Sequence, residues 1–451
     1  MEKIKSAEEF FRFCEKHEIE FVDFRYTQLN GRMDHLSYRL SELDGKTLRE
    51  GIVFDASKVS GWQKTSEADL LLIPDLSTTL LDPFYTDPTA IVLCDVYDPR
   101  GQTPYAKCPR SVAKAAAAQI IKDADDVIMA TSSDFYLLDQ ARFAANMSFY
   151  DFQGCELADT LPVGADAYSS SHRPRPLEGT LQLPPVDSSQ DIRAEILQVL
   201  KNLGIDAFSH VHGASVSQAT IGLHFAGLVG SADALNSFKY VARNVAELNG
   251  KSASFAPFLL PGRGNSTCIN VSLQKGKKNI FYDESDALGL SKTAKSFAAG
   301  VFAHAKSLCA FTNATINSYT RLANDAALAD LKMQAGSRAA AIRVPLRLNN
   351  KNARLVLLFP DSSANPYLAL SAILLAGIDG IKKGLEISPE PSALPRSLRA
   401  SLEALELDNE YLKPAFSPDL INAYIDEKLR SQVLFDECIP SVHEMQSAYS
   451  C

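Results

Sequence analysis

The sequence has no surplus of positive charge: 45 lysines and arginines stand against 54 aspartates and glutamates, for a formal net charge of −9 at pH 7. Such a chain offers no broad surface to nucleic acid and feels no pull toward anionic membranes. Its eight cysteines, at positions 14, 94, 108, 155, 268, 309, 438 and 451, form no CxxC pair and no closely spaced framework, which excludes a disulfide scaffold. No apolar leader follows Met1-Glu-Lys-Ile-Lys5, so no secretory signal is expected. No apolar run is long enough to span a bilayer. The longest, around Ala364 to Ile378, is interrupted by Asn365, Pro366 and Ser371, meets Lys382-Lys383, and reads as a buried helix. There is no internal repeat and no low-complexity tract. A soluble protein of the reducing cytoplasm is the expectation.

What is present is ordinary for a globular chain: 46% hydrophobic and 22% charged residues over 451 positions, enough for two or three domains with substantial cores. Residues 1–16 read as a short amphipathic helix. Phe21-Val-Asp-Phe-Arg-Tyr26 alternates as a strand, and Asn30-Gly31 is a strong hairpin turn. Further short strands, through Ala90 to Tyr97, complete a small, mostly antiparallel N-terminal domain of about 100 residues. Pro109 opens a helix over Ser111 to Lys122. Val127–Ala130 and Asp134–Leu138 read as strand segments, and 143–186 as a long irregular loop. A helix capped at Ser188 or Ser189 shows Ile192, Ile196, Val199, Leu200 and Leu203 on one face and stops at Gly204. Helices are also expected over Ala232 to Leu248, 291–310, 365–383 and after Pro395, with strands around Ala341 to Pro345 and Arg354 to Phe359. The class is α+β.

One stretch, Phe208 to Phe225, reads as a β-hairpin that carries a site. His210 and His212 are two apart, so on a strand both rings point to one face. Gly213, Ala214 and Ser215 supply a turn, and Thr220, Gly222 and His224 line the return strand. Two same-face imidazoles are either half of a transition-metal site or a pair of hydrogen-bonded structural histidines.

Several short motifs, in order and spaced over roughly residues 18 to 430, bring in a family. They are Phe54-Asp-Ala-Ser57 with Gly61-Trp62, Leu72-Ile-Pro-Asp75 with Asp82-Pro-Phe84, His172-Arg-Pro174, and Pro184-Pro-Val-Asp187 with Gln190-Asp-Ile-Arg193. Asn317-Ser-Tyr-Thr-Arg-Leu322 and Phe359-Pro-Asp361 with Ala364-Asn-Pro-Tyr-Leu368 complete the set. Together they resemble bacterial-type (class I) glutamine synthetase. The resemblance implies an N-terminal β-grasp domain over 1–105 and a C-terminal catalytic-type domain over 106–451, whose curved antiparallel sheet forms a funnel. It also implies a homo-oligomeric ring, usually two stacked hexamers. The neighbour's N-terminal domain completes each site, and a C-terminal tail locks the rings; residues after Asp436 follow that tail only loosely.

In the family, ATP phosphorylates the glutamate side chain, ammonia attacks the γ-glutamyl phosphate, and divalent metals neutralise the charge. Hard cations need several oxygen ligands for this. Matched motif by motif, the metal-binding strand becomes Ala130-Thr-Ser-Ser-Asp-Phe135, so one glutamate is Ser132 and the other Asp134. Two hairpin glutamates fall at His212 and Thr220. A metal histidine falls at Cys268, a nucleotide-contacting histidine at Asn270, a further glutamate at Val356, a phosphate-contacting arginine at Leu358, and the flap glutamate near Ala327. The regulatory adenylylated tyrosine has no match, since no tyrosine lies between Tyr367 and Tyr411. Other positions match: Asp55 at the ammonia-binding aspartate, and Arg321, Arg338, Arg343 and Arg354 at arginines that contact substrate carboxylate and phosphates.

Three readings follow. The first is a pseudoenzyme that acts in assembly, in regulation (an active glutamine synthetase being a candidate partner) or by binding a small amino-acid-like ligand through its arginines. The second is an enzyme of altered chemistry, with Asp134, His210 and His212 converging on iron, zinc, copper or manganese and His224 or Cys268 adding a ligand. The third is an ATP-dependent γ-glutamyl ligase, against which the loss of the magnesium carboxylates argues directly. Ordinary glutamine synthesis is not expected.

Overall fold

The computed structural model describes residues 4–120, 124–143, 150–154, 179–259, 262–325, 331–388 and 393–434. The His172 motif, most of the 143–186 segment, Ala327 and the tail after Asp436 lie outside the described residues.

The chain is α+β. The first helix, Ala7–Lys16, is capped by Ser6, whose side chain accepts from Glu9 N at 3.2 Å, and it buries Phe10 and Cys14. A seven-stranded sheet follows; its main path runs Met33–Arg39, Phe21–Thr27, Thr89–Asp98, Asp69–Pro74, Ile52–Asp55, and Leu80–Leu81 and Thr103–Pro104 pair with Thr89–Asp98 off that path. Phe21–Thr27 runs parallel to Thr89–Asp98, and the remaining pairs are antiparallel. The Asn30-Gly31 turn does more than reverse the chain. Gly31 has φ +88°, and a Cβ there would lie 3.1 Å from the Cα of Asn365 in the second half of the molecule. The Asn365 side-chain amide donates back to the carbonyls of Gln28 (3.0 Å) and Leu29 (3.2 Å).

The second sheet has ten strands. Its main path runs Ala207–His212, Gln218–Leu223, Asp126–Phe143, Thr267–Lys275, Leu355–Leu357, Ile342–Val344, Met333–Ala335. Odd-numbered residues of the long central strand, such as Val127, Met129, Phe135 and Leu137, face the helices and are buried in two apolar clusters. The even-numbered residues Ala130, Ser132 and Asp134 therefore face the other way. Helix Pro366–Lys383 is buried almost all round and is the central post of the larger core. It crosses Lys292–Ala303 where Gly300 meets Gly380; a Cβ on Gly300 would lie 2.2 Å from the carbonyl oxygen of Ala376. Among the described residues no helix is long and apolar enough to cross a membrane.

Several local expectations need correction. The two segments Val127–Ala130 and Asp134–Leu138 are one 18-residue strand, Asp126–Phe143. Ser132 and Ser133 carry a weak strand signal, but both neighbouring strands pair with them, and the ladder overrides local propensity. The start of the supposed 143–186 loop includes a partner strand, Tyr150–Gly154. The helix after Pro109 ends at Ala117 rather than Lys122. The helix expected over 291–310 is two, Lys292–Ala303 and Ala305–Thr312, broken at His304. There the imidazole is held between Asp379 and Asp408, each at 2.9 Å, and stacks on Tyr411.

Candidate functional site

The strand register decides which side chains share a face. Across the second sheet Thr220 stands opposite Asp134, Ser132 opposite Cys268, Asn270 opposite both Ala130 and Val356, and Val356 opposite Arg343. Directly opposed residues point the same way. Asp134, Ser132, Thr220, Cys268 and Val356 therefore line one face. These are five of the positions where the resemblance places metal ligands.

Asp134 is the one carboxylate among them, and its oxygens are already engaged. Thr220 Oγ1 donates to Oδ1 at 2.6 Å; Ser266 donates to Oδ2 through its backbone N–H at 3.0 Å and its hydroxyl at 2.8 Å. Burial pushes the Asp134 carboxyl above the usual range despite those donors and nearby Arg321. Cys268 has its thiol pushed up to about 11 by burial and by Asp134, so it stands protonated at neutral pH. Ser266 was not singled out in the sequence. Its signal was parity alone: it stands two before Cys268 on the same strand face.

The two hairpin histidines do not join this group. Val211 stands opposite Thr220, while His210 stands opposite Ile221 and His212 opposite Ala219. Ile221 and Ala219 belong to the apolar cluster beneath the sheet, so both imidazoles face the helices and Asp134 faces away. The expected convergence of Asp134, His210 and His212 is thus overturned by strand alternation. His212 is 2% exposed, and its Nδ1–H donates to the carbonyl of Gly213 at 2.8 Å. Nearby, Asp187 and Arg193 form a buried bidentate pair, and the Asp187 carboxyl is held below its ordinary range by Arg193 and His212 against the effect of burial. His210 Nδ1 is buried without a hydrogen-bond partner, and burial together with Arg193 lowers its pKa. His212 is thus held by a local hydrogen bond, and burial disfavours the charged form of His210. His224 is half exposed at the far end of the hairpin, against the Phe208 ring and 3.9 Å from Asp206.

Among the described residues there is no group of three or more His, Cys, Asp or Glu side chains placed to hold a metal ion. The donors left on the polar face are a hydrogen-bonded carboxylate, a protonated thiol, a serine and a threonine. They do not fit a hard divalent cation, which needs several free oxygen ligands.

The arginines do assemble. Arg321, on helix Ile316–Asn324, is 2% exposed; its Nη2 donates to the carbonyl of Phe359, and its Nε is buried without a partner. Arg343 Nε is likewise buried and unpartnered. Arg354 donates to Asn270 Oδ1 and to the carbonyl of Asn352, both at 2.9 Å. Burial and the neighbouring Arg343 lower its pKa. Arg338 is exposed, but it and Arg321 both act on Cys268, which places them at the same wall. Among the described residues none of the four forms an ion pair with a carboxylate. The face thus gathers four arginines beside Asp134, whose carboxyl is pushed up by burial.

Asp55 stands elsewhere. It ends an edge strand of the first sheet and accepts from Ser57 N at 3.1 Å and Ser57 Oγ at 2.6 Å, with Lys58 at 3.6 Å.

Comparison with known proteins fits this architecture. The family description "Glutamine synthetase, beta-Grasp domain" matches residues 18–99, and "Glutamine synthetase, catalytic domain" matches residues 106–443. The chain belongs to the glutamine synthetase family. It is 38% identical over 469 residues to a glutamine synthetase of Helicobacter pylori strain J99, covering 98% of this chain and 97% of that one. It is 36% identical over 447 residues to the glutamine synthetase of Salmonella typhimurium, covering 93% and 94%. The cryo-EM structure of Plasmodium falciparum glutamine synthetase superposes with a TM-score of 0.91 at 25% identity, over 99% of both chains. A structure of GmaS without ligand superposes with a TM-score of 0.82 at 25% identity, over 97% of this chain and 99% of that one. Within the glutamine synthetase fold, then, this sheet face carries arginines together with serine, threonine, cysteine and valine beside one engaged aspartate.

Proposed function

We propose that this member of the glutamine synthetase family has lost metal-dependent ligation and acts as a pseudoenzyme that binds a small anionic, amino-acid-like ligand. The observation that carries the reading is the imbalance on this face: among the described residues Arg321, Arg338, Arg343 and Arg354 have no carboxylate ion-pair partner, and no group of three His, Cys, Asp or Glu side chains is placed to hold a metal ion. Guanidinium groups with open donors match carboxylate oxygens in planar, bidentate fashion. Those arginines can hold an anion, but they supply no Lewis acid to bridge and polarise the phosphates of ATP, a contribution worth several kcal/mol in metal-assisted transfer.

Assembly belongs to the same proposal. Asp55 is matched to a catalytic position yet makes only local hydrogen bonds, and its neighbour Val53 is 57% exposed. Both suit an interface at which a neighbour's N-terminal domain closes the concave face of the next subunit. Mass photometry of the purified protein is expected to show a ring-sized homo-oligomer; a single-chain mass would contradict this.

The likeness to GmaS, a gamma-glutamylmethylamide synthetase, favours a second reading as a γ-glutamyl ligase. One assay separates the two. The protein is incubated with glutamate, ATP, magnesium or manganese, and either ammonia or methylamine. The expected result is no ATP-dependent product. If metal stabilisation supplies roughly 4 kcal/mol, its loss alone lowers the rate about a thousandfold. Steady, glutamate-dependent phosphate release with either amine would overturn the pseudoenzyme reading and establish a ligase.

A further inference from the structure

A second cationic site lies away from the concave face. A cleft of about 710 Å³ is walled by the Asn30-Gly31 turn, helix Leu228–Leu248, the segment Ser254 to Pro257, Thr315, Ser362-Ser363 and Lys428. That volume is in the range of small-molecule sites. Four cations line it (Arg32, Lys239, Arg243 and Lys428), and no aspartate or glutamate does. Arg32 is paired with Asp34 at 2.8 Å, and the other three have no ion pair among the described residues.

Two of these three are lysines of a kind rarely left alone. Lys239 is 9% exposed, donates once, to the carbonyl of Ala364 at 3.2 Å, and otherwise lies toward the Phe255 ring. Lys428 is 4% exposed and makes no hydrogen bond among the described residues; its ammonium faces the Tyr424 ring. Arg243 reaches across the same Phe255 ring at the mouth of the cleft. Asp361, which acts on both lysines, is already committed: Ser363 donates to it through N–H and hydroxyl, and Asn313 through its amide; Glu427, which also acts on Lys428, accepts from the Ser60 hydroxyl. Burial lowers the Lys239 ammonium to about 7 and the Lys428 ammonium to about 8, which records the same lack of counter-charge. Buried ammonium groups without partners are costly in a folded protein, and such groups concentrate where a ligand supplies the missing charge.

We propose that this cleft binds a small polyanion, a metabolite carrying two or more phosphate or carboxylate groups, with Lys239, Lys428 and Arg243 as its counter-charges. The occupant bridges the two halves of the chain, because the Asn30-Gly31 turn belongs to the first and every other wall to the second. It also touches Thr315, the cap of the helix that carries Arg321. The proposal stands whether or not the concave face binds an anion.

The test is calorimetric titration of the full-length protein with pyrophosphate and, separately, with citrate, at ionic strength fixed with sodium chloride. Two double variants are compared with the wild type. Arg343→Met with Arg354→Met disables the concave face and is expected to keep a binding event for at least one probe. Lys239→Met with Lys428→Met is expected to weaken that event by tenfold or more. The lysine variant is also expected to melt no lower than wild type without ligand, since it removes buried charges that have no ion-pair partner among the described residues, so lost binding is not lost folding. Whichever probe binds names the anionic group. Absence of binding of both probes in the arginine variant, or equal affinity in the lysine variant and wild type, overturns the proposal.

Discussion

Replacing Arg110 with methionine is expected to destabilise the protein by about 3–5 kcal/mol, the cost of stripping the partner from buried carboxylates. Arg110 stands near the start of helix Pro109–Ala117 and is 5% exposed. Its guanidinium donates to Asp75 at 2.8 Å, to Asp95 at 3.0 Å, and to both oxygens of Asp233 at 3.1 and 2.9 Å. Asp233 also accepts from Tyr367 at 2.6 Å. Asp75 and Asp95 come from the first sheet and its loop, Asp233 and Tyr367 from helices of the second half, so one side chain joins the two. Burial works against the charge on Arg110, but Asp233 and Asp95 hold its pKa above the ordinary value. With methionine there, the three largely buried carboxylates keep Lys114 as their one cation among the described residues; it is bonded to Asp95 and lies 3.6 Å from Asp75. Urea unfolding checks the size of the loss. The pH dependence gives a second check. The Asp75 carboxyl is held low by Ser77 and Arg110 against the effect of burial. An acid with a lowered folded pKa adds stability above its unfolded pKa and loses it as pH falls through the folded one. The variant should therefore lose less stability on acidification than wild type. A variant as stable as wild type at neutral pH would show that Arg110 does not carry this junction.

The second large effect is expected at the concave face. Arg343→Met with Arg354→Met should weaken binding of a dicarboxylic amino acid such as glutamate by roughly 10–100-fold, as charge-assisted contacts of about 1.5–3 kcal/mol imply. The two arginines already oppose one another: Arg354 has its pKa lowered by burial and by Arg343, so their mutual repulsion is relieved when an anion arrives. Removing both should leave the apo fold intact or slightly firmer, and calorimetry with a melting curve separates affinity from folding. Unchanged glutamate affinity would mean that the arginines form a structural network only.

How much of this was legible in the sequence depends on the kind of signal. The apolar periodicity of Ile192, Ile196, Leu200 and Leu203 placed helix Gln190–Asn202 to within a residue or two, and Asn30-Gly31 marked a real turn. The replaced positions Ser132, Thr220, Cys268 and Val356 could be named from motif order, and the register puts them on one face with Asp134. The face taken by His210 and His212 could not be read. Parity across a hairpin depends on how many residues the turn consumes, and a slip of one sends every side chain to the opposite face. The turn here spans more than Gly213 to Ser215: Gly213 N–H donates to the carbonyl of Gln218, and Ser217 has φ +60°. That count sets Val211, not a histidine, against Thr220. The Lys239–Lys428 cleft was equally hidden. Its walls come from segments hundreds of residues apart, and each lysine alone looks like any surface charge on a helix.

The central claim is that anions are held at the concave face by arginine and not through a metal. Calorimetric titration with glutamate, in the presence of excess EDTA and again with magnesium and ATP, tests it most directly. Binding in EDTA is expected, with an affinity that magnesium and ATP do not improve. Glutamate binding that vanishes in EDTA and returns with magnesium would contradict it.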